Sequence, residues 1–252
     1  AYVSADDRSG NNLTVKNNYT GTLVAETRTL GAAIASTNAV RPSAIGGTTT
    51  DGFYGGALDF VSSSQNALDL WDVDANSEEG FLLTAYVDFD DLSLANDTTM
   101  ALLNKSEVGG FALELTNPSG GDDDTYVRFG VYVGGNYTYH SFPVSGASAE
   151  ASDCGSNFGT SLLFSSALTE VDRAYFLVGA YDGSGGVYLF IDNKCVATAR
   201  STVNGTVGSN SVKALAGADP QADLQHRFFF DGKIQQVQIQ RWGNHTANTG
   251  NK

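Results

Sequence analysis

The chain has 252 residues with 28 acidic and 14 basic side chains, a net charge of −14. A surface this acidic repels nucleic acid and anionic membranes, and no apolar run approaches the ~20 residues of a membrane span. Gly is abundant at 29, Pro scarce at 4, and few stretches carry a 3.6-residue apolar period, which argues against a helical bundle and for many short strands joined by tight turns.

The opening, Ala1 to Gly31, is polar with isolated apolar residues, and the small polar piece from Ala32 to Thr50 reads as a loop. A hairpin is expected from Phe53 to Val73, with Trp71 closing its second strand. Phe81 to Phe89 is a strong strand. Met100 to Leu103 and Gly110 to Leu115 form a pair, and Tyr126 to Val133 with Tyr137 to Phe142 a hairpin through Gly134-Gly135-Asn136. Leu162 to Val171 is the one segment suited to a short helical turn. Two strands then flank the turn Asp182 to Gly186, with Phe176, Val178 and Ala180 on one face. Ser201 to Gln225 is a long polar excursion with a small apolar group at Val212 to Ala216, and loops of that length are usually functional or interfacial. The last strand follows the turn Asp231-Gly232 and carries Ile234, Val237 and Ile239. No internal repeat and no Pro- or charge-rich linker interrupts this series, so residues 1–252 are expected to form one domain.

Several of these stretches carry a family pattern. They are Asp7, Ser9, Gly10 and Gly21 to Leu23; Gly56 to Phe60; Asp182-Gly183 with the strands on either side; and Gly232, Ile234, Val237 and Trp242 near the end. Together they resemble the laminin-G-like, concanavalin A-like lectin and glucanase superfamily, pentraxin-like jelly rolls included. The resemblance implies an all-β fold, a two-sheet antiparallel β-sandwich of the concanavalin A-like jelly-roll type. It leaves function open, because that sandwich serves lectins, adhesion modules, spacers and glycan-cleaving enzymes. It also implies Ca²⁺ at one rim, for which Asp72, Asp74, Asp122 and Asp124 supply oxygen ligands. No other cofactor is expected.

Glycan hydrolases of this fold alternate two or three carboxylates along one strand. The nearest candidates are Asp88, Asp90 and Asp91, but the ExDxxE arrangement is absent, Glu114 stands alone in its strand, and there are only two tryptophans for sugar stacking. Asp88 and Asp90 read as a solvated sheet face. A lyase would need a basic cleft, and the neighbours Tyr139 and His140 face opposite sides of a strand. No catalytic residue is expected. Tyr137 and Tyr139 are instead candidates for glycan contact.

Cys154 and Cys195 suggest a disulfide made outside the cytosol, the alternative being two buried thiols. N-glycosylation sequons occur at Asn12, Asn18, Asn96, Asn104, Asn136, Asn204 and Asn244. The chain begins at Ala1 without a signal peptide, as a mature secreted product would. Residues 1–10 are polar and of a kind that frays unless held; Ala1, Tyr2, Val3 and Ser4 suit an assembly strand adding to a neighbour's sheet edge, and repeated head to tail that contact builds a filament. The expectation is therefore an extracellular, non-catalytic structural or adhesive glycoprotein at the cell surface, self-assembling as a homopolymer. A Ca²⁺-assisted carbohydrate-binding module partnered with extracellular glycan comes second, and a polysaccharide-degrading enzyme third.

Overall fold

Alternation of apolar and less apolar residues creates most of the strands. The computed structural model describes residues 57–70, 80–118, 125–144, 173–192, 194–200 and 205–241, with the backbone of four strands at 2–4, 12–17, 24–29 and 43–45. These four are β1 (Tyr2–Ser4), β2 (Asn12–Asn17), β3 (Val24–Thr29) and β4 (Ser43–Ile45). Next come β5 (Ala57–Phe60), β6 (Leu68–Asp69), β7 (Phe81–Phe89), β8 (Thr98–Asn104), β9 (Phe111–Asn117), β10 (Tyr126–Val133) and β11 (Asn136–Pro143). The series ends with β12 (Ala174–Tyr181), β13 (Gly186–Ile191), β14 (Lys194–Arg200), β15 (Leu215–Ala216) and β16 (Gly232–Arg241). The described residues contain a 3-10 turn at Ser62–Ser64 and no α-helix.

The strands form two antiparallel sheets. One has ten strands, ordered β14-β13-β12-β7-β16-β1-β2-β3, with β5 and β4 added beside β16. The other has six, ordered β11-β10-β9-β8-β15-β6. β7 shows why they stack. Phe81, Leu83, Ala85, Val87 and Phe89 are buried on one face, and Leu82, Thr84 and Tyr86 are half-buried on the other. The buried face meets Phe111, Leu113, Phe129 and Val131 of the six-stranded sheet in one core. Phe81 lies at its centre, with ring centroids 5.6 Å from Phe111, 6.3 Å from Phe129 and 6.2 Å from Tyr181. This is the two-sheet jelly-roll sandwich expected from the sequence.

Local chemistry sets the turns and register. Asp182 Oδ1 accepts hydrogen bonds from the backbone N–H groups of Ser184 and Gly186, at 2.7 and 2.8 Å, fixing the β12–β13 turn. In β16 the ladder to β7 shifts between Ile234 and Gln236. That bulge turns Ile234, Val237 and Ile239 all into the core despite their uneven spacing.

Three expectations change. Tyr2 to Ser4 were expected to add to a neighbouring copy. β1 instead pairs within its own chain, Val3 opposite Val237, with Tyr2 also opposite Lys16 of β2, so neither edge is left to donate. The loop 32–50 contains β4, paired with β5. In β12, Phe176 and Val178 do share a face; it is the outer one, where Phe176 packs on Tyr86 with centroids 5.6 Å apart, and the core face is Tyr175, Leu177 and Tyr181. Asp88 is not solvated: the register sets it opposite Lys233, whose Nζ donates to Asp88 Oδ2 at 2.9 Å in a buried position. Trp71, Trp242 and the segment 162–171 lie outside the described residues.

Candidate glycan-binding surface

Among the described residues, the outer face of the six-stranded sheet carries a connected cluster of polar and aromatic side chains. Its inward set is apolar, as Val127, Phe129, Val131 and Val133 of β10 show. The alternate positions face outward: Arg128, Gly130 and Tyr132 of β10, opposite Glu114 and Ala112 of β9 and Tyr139 and Tyr137 of β11. Gly130 lies opposite Tyr139, and a Cβ there would fall 2.3 Å from the Tyr139 ring. The missing side chain lets that ring lie across the strand. Gly130→Val is expected to push Tyr139 off the sheet and cost about 1–3 kcal/mol, the usual cost of overpacking, measurable by denaturant unfolding.

The tyrosines form a ladder. Tyr137 stacks on Tyr139 with centroids 5.3 Å apart, and Tyr132 meets Tyr137 edge-on at 5.1 Å. The Arg128 guanidinium covers the other part of Tyr139, 4.4 Å from its centroid. Tyr137 Oη donates to the Gly109 carbonyl at 2.5 Å. Burial raises both phenols, Tyr139 to about 12 and Tyr137 well above its ordinary value. These rings were expected to offer open faces to a sugar. Their faces are instead covered by one another and by Arg128.

Beside the ladder lies a buried carboxylate cluster. Glu114 Oε1 accepts from Asn104 Nδ2 at 2.8 Å and Oε2 from Arg128 Nε at 2.7 Å. The same Asn104 Nδ2 donates to Asp219 Oδ1 at 3.3 Å, which also accepts from Ser106 Oγ. Asp219 Oδ2 accepts from Gln221 Nε2 at 2.7 Å. Burial is the largest influence on Asp219 and raises its pKa from 3.8 to about 6; the Glu114 charge adds to this, and the bonds from Ser106, Asn104 and Gln221 oppose it. Glu114, solitary in the sequence, thus meets a second carboxylate from 105 positions away.

The loop that brings Asp219 is pinned along its length. Gly208 N–H donates to the Tyr132 carbonyl at 2.7 Å, and Gly217 N–H to the Leu102 carbonyl at 3.0 Å. Lys105 Nζ donates to the Val212 carbonyl at 2.5 Å. β15 then pairs with β8 on one side and β6 on the other. Where the loop leaves β15 a cleft opens, with Val212, Leu215, Pro220 and Leu224 as apolar lining and Asp69, Ser211, Lys213, Gln221 and His226 as polar lining. Lys213 Nζ and Asp69 Oδ2 form an ion pair at 2.7 Å. The Gln221 N–H donates to His226 Nδ1 at 3.3 Å, and burial holds the His226 pKa below its ordinary value. Leu224 stays 45% exposed although its φ of 65° is unfavourable for leucine.

The other expected site residues are scattered. Asn96 is exposed on a turn and Asn136 is exposed at the start of β11, next to the Gly134-Gly135 turn, both accessible to a glycan. Asn104 is buried with its Nδ2 bonded to Glu114 and Asp219, so its sequon does not suit a glycan. Asn12 begins β2, and Asn18, Asn204 and Asn244 lie outside the described residues. So do Asp72, Asp74, Asp122, Asp124 and Cys154. Among the described residues no group of three or more His, Cys, Asp or Glu side chains could hold a metal ion, and there is no free cysteine, Cys195 being disulfide-bonded. No helix among them is long and apolar enough to cross a membrane.

No protein-family model matches the chain, and no curated protein matches it. Solved structures do. The chain is similar to the binding domain of Paraclostridial mosquitocidal protein 1, at 10% identity and a TM-score of 0.53, over 92% of this chain and 48% of that one. It is similar to a SAP-like pentraxin of Limulus polyphemus at 11% identity and a TM-score of 0.40, over 64% and 63% of the two chains. It is similar to the ligand binding domain of botulinum neurotoxin serotype D, in complex with N-acetylneuraminic acid, at 13% identity and a TM-score of 0.42, over 69% and 36%. The chain thus spans less than two thirds of the length of each. The first of these likenesses supports the sandwich fold.

Proposed function

We propose that this chain is an extracellular, non-catalytic carbohydrate-binding module of the laminin-G-like, concanavalin A-like type. In this reading the cleft beside β15 holds a neutral glycan. The observation that carries it is the division of the cleft wall. Leu215, Pro220 and Leu224 offer an apolar surface, and Asp69, Lys213 and Gln221 face the same space with donors and acceptors. A sugar ring has the same division, between its C–H face and its hydroxyl rim. Asp69 and Lys213 neutralise each other, and a chain of net charge −14 disfavours an anionic ligand.

The self-assembling filament loses its proposed contact once β1 is paired inside its own sheet. Glycans on the exposed Asn96 and Asn136, a Cys154–Cys195 cross-link and Ca²⁺ at Asp72, Asp74, Asp122 and Asp124 belong to the same reading. A glycan array probed with the labelled chain, with and without EDTA, tests it. Retention of neutral glycans is expected, and loss of that signal in EDTA would add calcium to the site. An array with no retained glycan in either condition would overturn the proposal.

A further inference from the structure

Gln221 belongs to two structures at once. Its side chain lines the cleft, its Nε2 donates to Asp219 Oδ2 at 2.7 Å, and its backbone N–H donates to His226 Nδ1 at 3.3 Å. Asp219 and His226 are both buried and both titratable. Between them the chain closes on itself, Asp219 N–H to the Arg227 carbonyl at 2.8 Å and Arg227 N–H to the Asp219 carbonyl at 3.2 Å.

We propose that residues 219–227 form a proton-operated latch on the cleft, loosened on the alkaline side by ionisation of Asp219 and on the acid side by protonation of His226. The latch stands on these bonds alone; its consequence, ligand affinity that follows pH, rests on the glycan reading above.

On the alkaline side, ionised Asp219 shares the Asn104 amide with Glu114 of β9. The cation of this cluster, Arg128 of β10, is bonded to Glu114, and β11 contributes the phenols of Tyr137 and Tyr139. Holding the Asp219 charge away from water is the main cost, and repulsion from Glu114 adds to it; the bonds from Ser106, Asn104 and Gln221 offset only part, so ionisation draws Asp219 and the latch toward solvent. On the acid side, neutral His226 offers Nδ1 as an acceptor. A protonated imidazole has two donors and no acceptor, so the Gln221 N–H loses its partner. Asp69 and Asp223 face His226, with Lys213 paired to Asp69. The alkaline limb runs upward through about pH 6, where Asp219 titrates, and the acid limb begins below the ordinary histidine value of 6.5.

Amide exchange of the whole chain tests this, with the rates of Gln221 and Arg227 divided by the intrinsic rate at each pH. Their protection is expected to fall as pH rises through about 6, by up to about tenfold per displaced pKa unit. It is also expected to fall at the acid end. Asp219→Asn removes the alkaline limb and His226→Gln the acid one. Should either variant fail to fold, the wild-type protection must still track the Asp219 carboxyl and His226 ring signals in an NMR titration. Protection that stays flat in the wild type, or limbs that persist in both variants, would overturn the latch. Limbs without any retained glycan would leave the latch standing and remove the glycan reading; glycan binding with flat protection would do the reverse.

Discussion

Phe81→Ala is expected to cost about 4 kcal/mol of folding stability, the middle of the range for a buried aromatic. The ring touches Phe111 and Phe129 of the facing sheet and Tyr181 of its own, so its removal empties the contact between the layers. These neighbours stand on paired strands of rigid register and have little freedom to close the void. At this chain length the melting temperature should fall by about 10 °C. Phe176→Ala is the internal control. That ring lies on the outer face of the same sheet, against Tyr86, and its loss should cost well under half as much. Equal losses at the two positions would mean that the core is not where the alternation of β7 places it.

Glu114→Ala is the second large effect, expected at about 3 kcal/mol. Glu114 is buried and accepts from both Asn104 and Arg128, so its removal takes the carboxylate partner from the Arg128 guanidinium and leaves the Asn104 amide with its longer bond to Asp219. Glu114→Gln separates charge from volume. With the charge gone, Asp219 should titrate below about 6 yet stay above 3.8, because burial is the larger cause of its shift. The sign of the linked stability follows. A carboxyl raised by folding binds its proton more tightly in the folded state. Its contribution is therefore fully present below pH 3.8 and is lost as pH rises through about 6. Asp219→Asn should flatten that part of the stability profile. An unchanged slope between about pH 4 and 6 would show that Asp219 is not the group responsible.

The fold was legible wherever a strand has one apolar and one polar face. Phe81 to Phe89, Tyr126 to Val133 and the Asp182 to Gly186 turn emerge as expected. Which face of β12 is buried was not legible, because Phe176 and Val178 are as apolar as the core residues beside them; only the partner sheet decides which face is covered. β4 is three residues long and carries too little pattern to read. The site was the least legible part. Asn104 read as a sequon and Glu114 as a solitary strand residue, while Asp219 lay in a polar loop. What unites them is a chain crossing of more than 100 residues, which no local pattern encodes. One signal was present: the length of the excursion from Ser201 to Gln225, whose Val212 to Ala216 group anchors it to the sheet.

The claim that a glycan occupies the cleft beside β15 is tested most directly by blocking it. Ser211 lines the cleft and is exposed, so Ser211→Trp fills the space without disturbing the core. Titration calorimetry of the wild type and this variant, using a neutral oligosaccharide retained on the array, reads the effect. Binding weakened by at least about tenfold, equivalent to 1.4 kcal/mol, with unchanged thermal unfolding is the predicted result. Equal affinity in the two proteins would place carbohydrate elsewhere on the molecule and contradict the account.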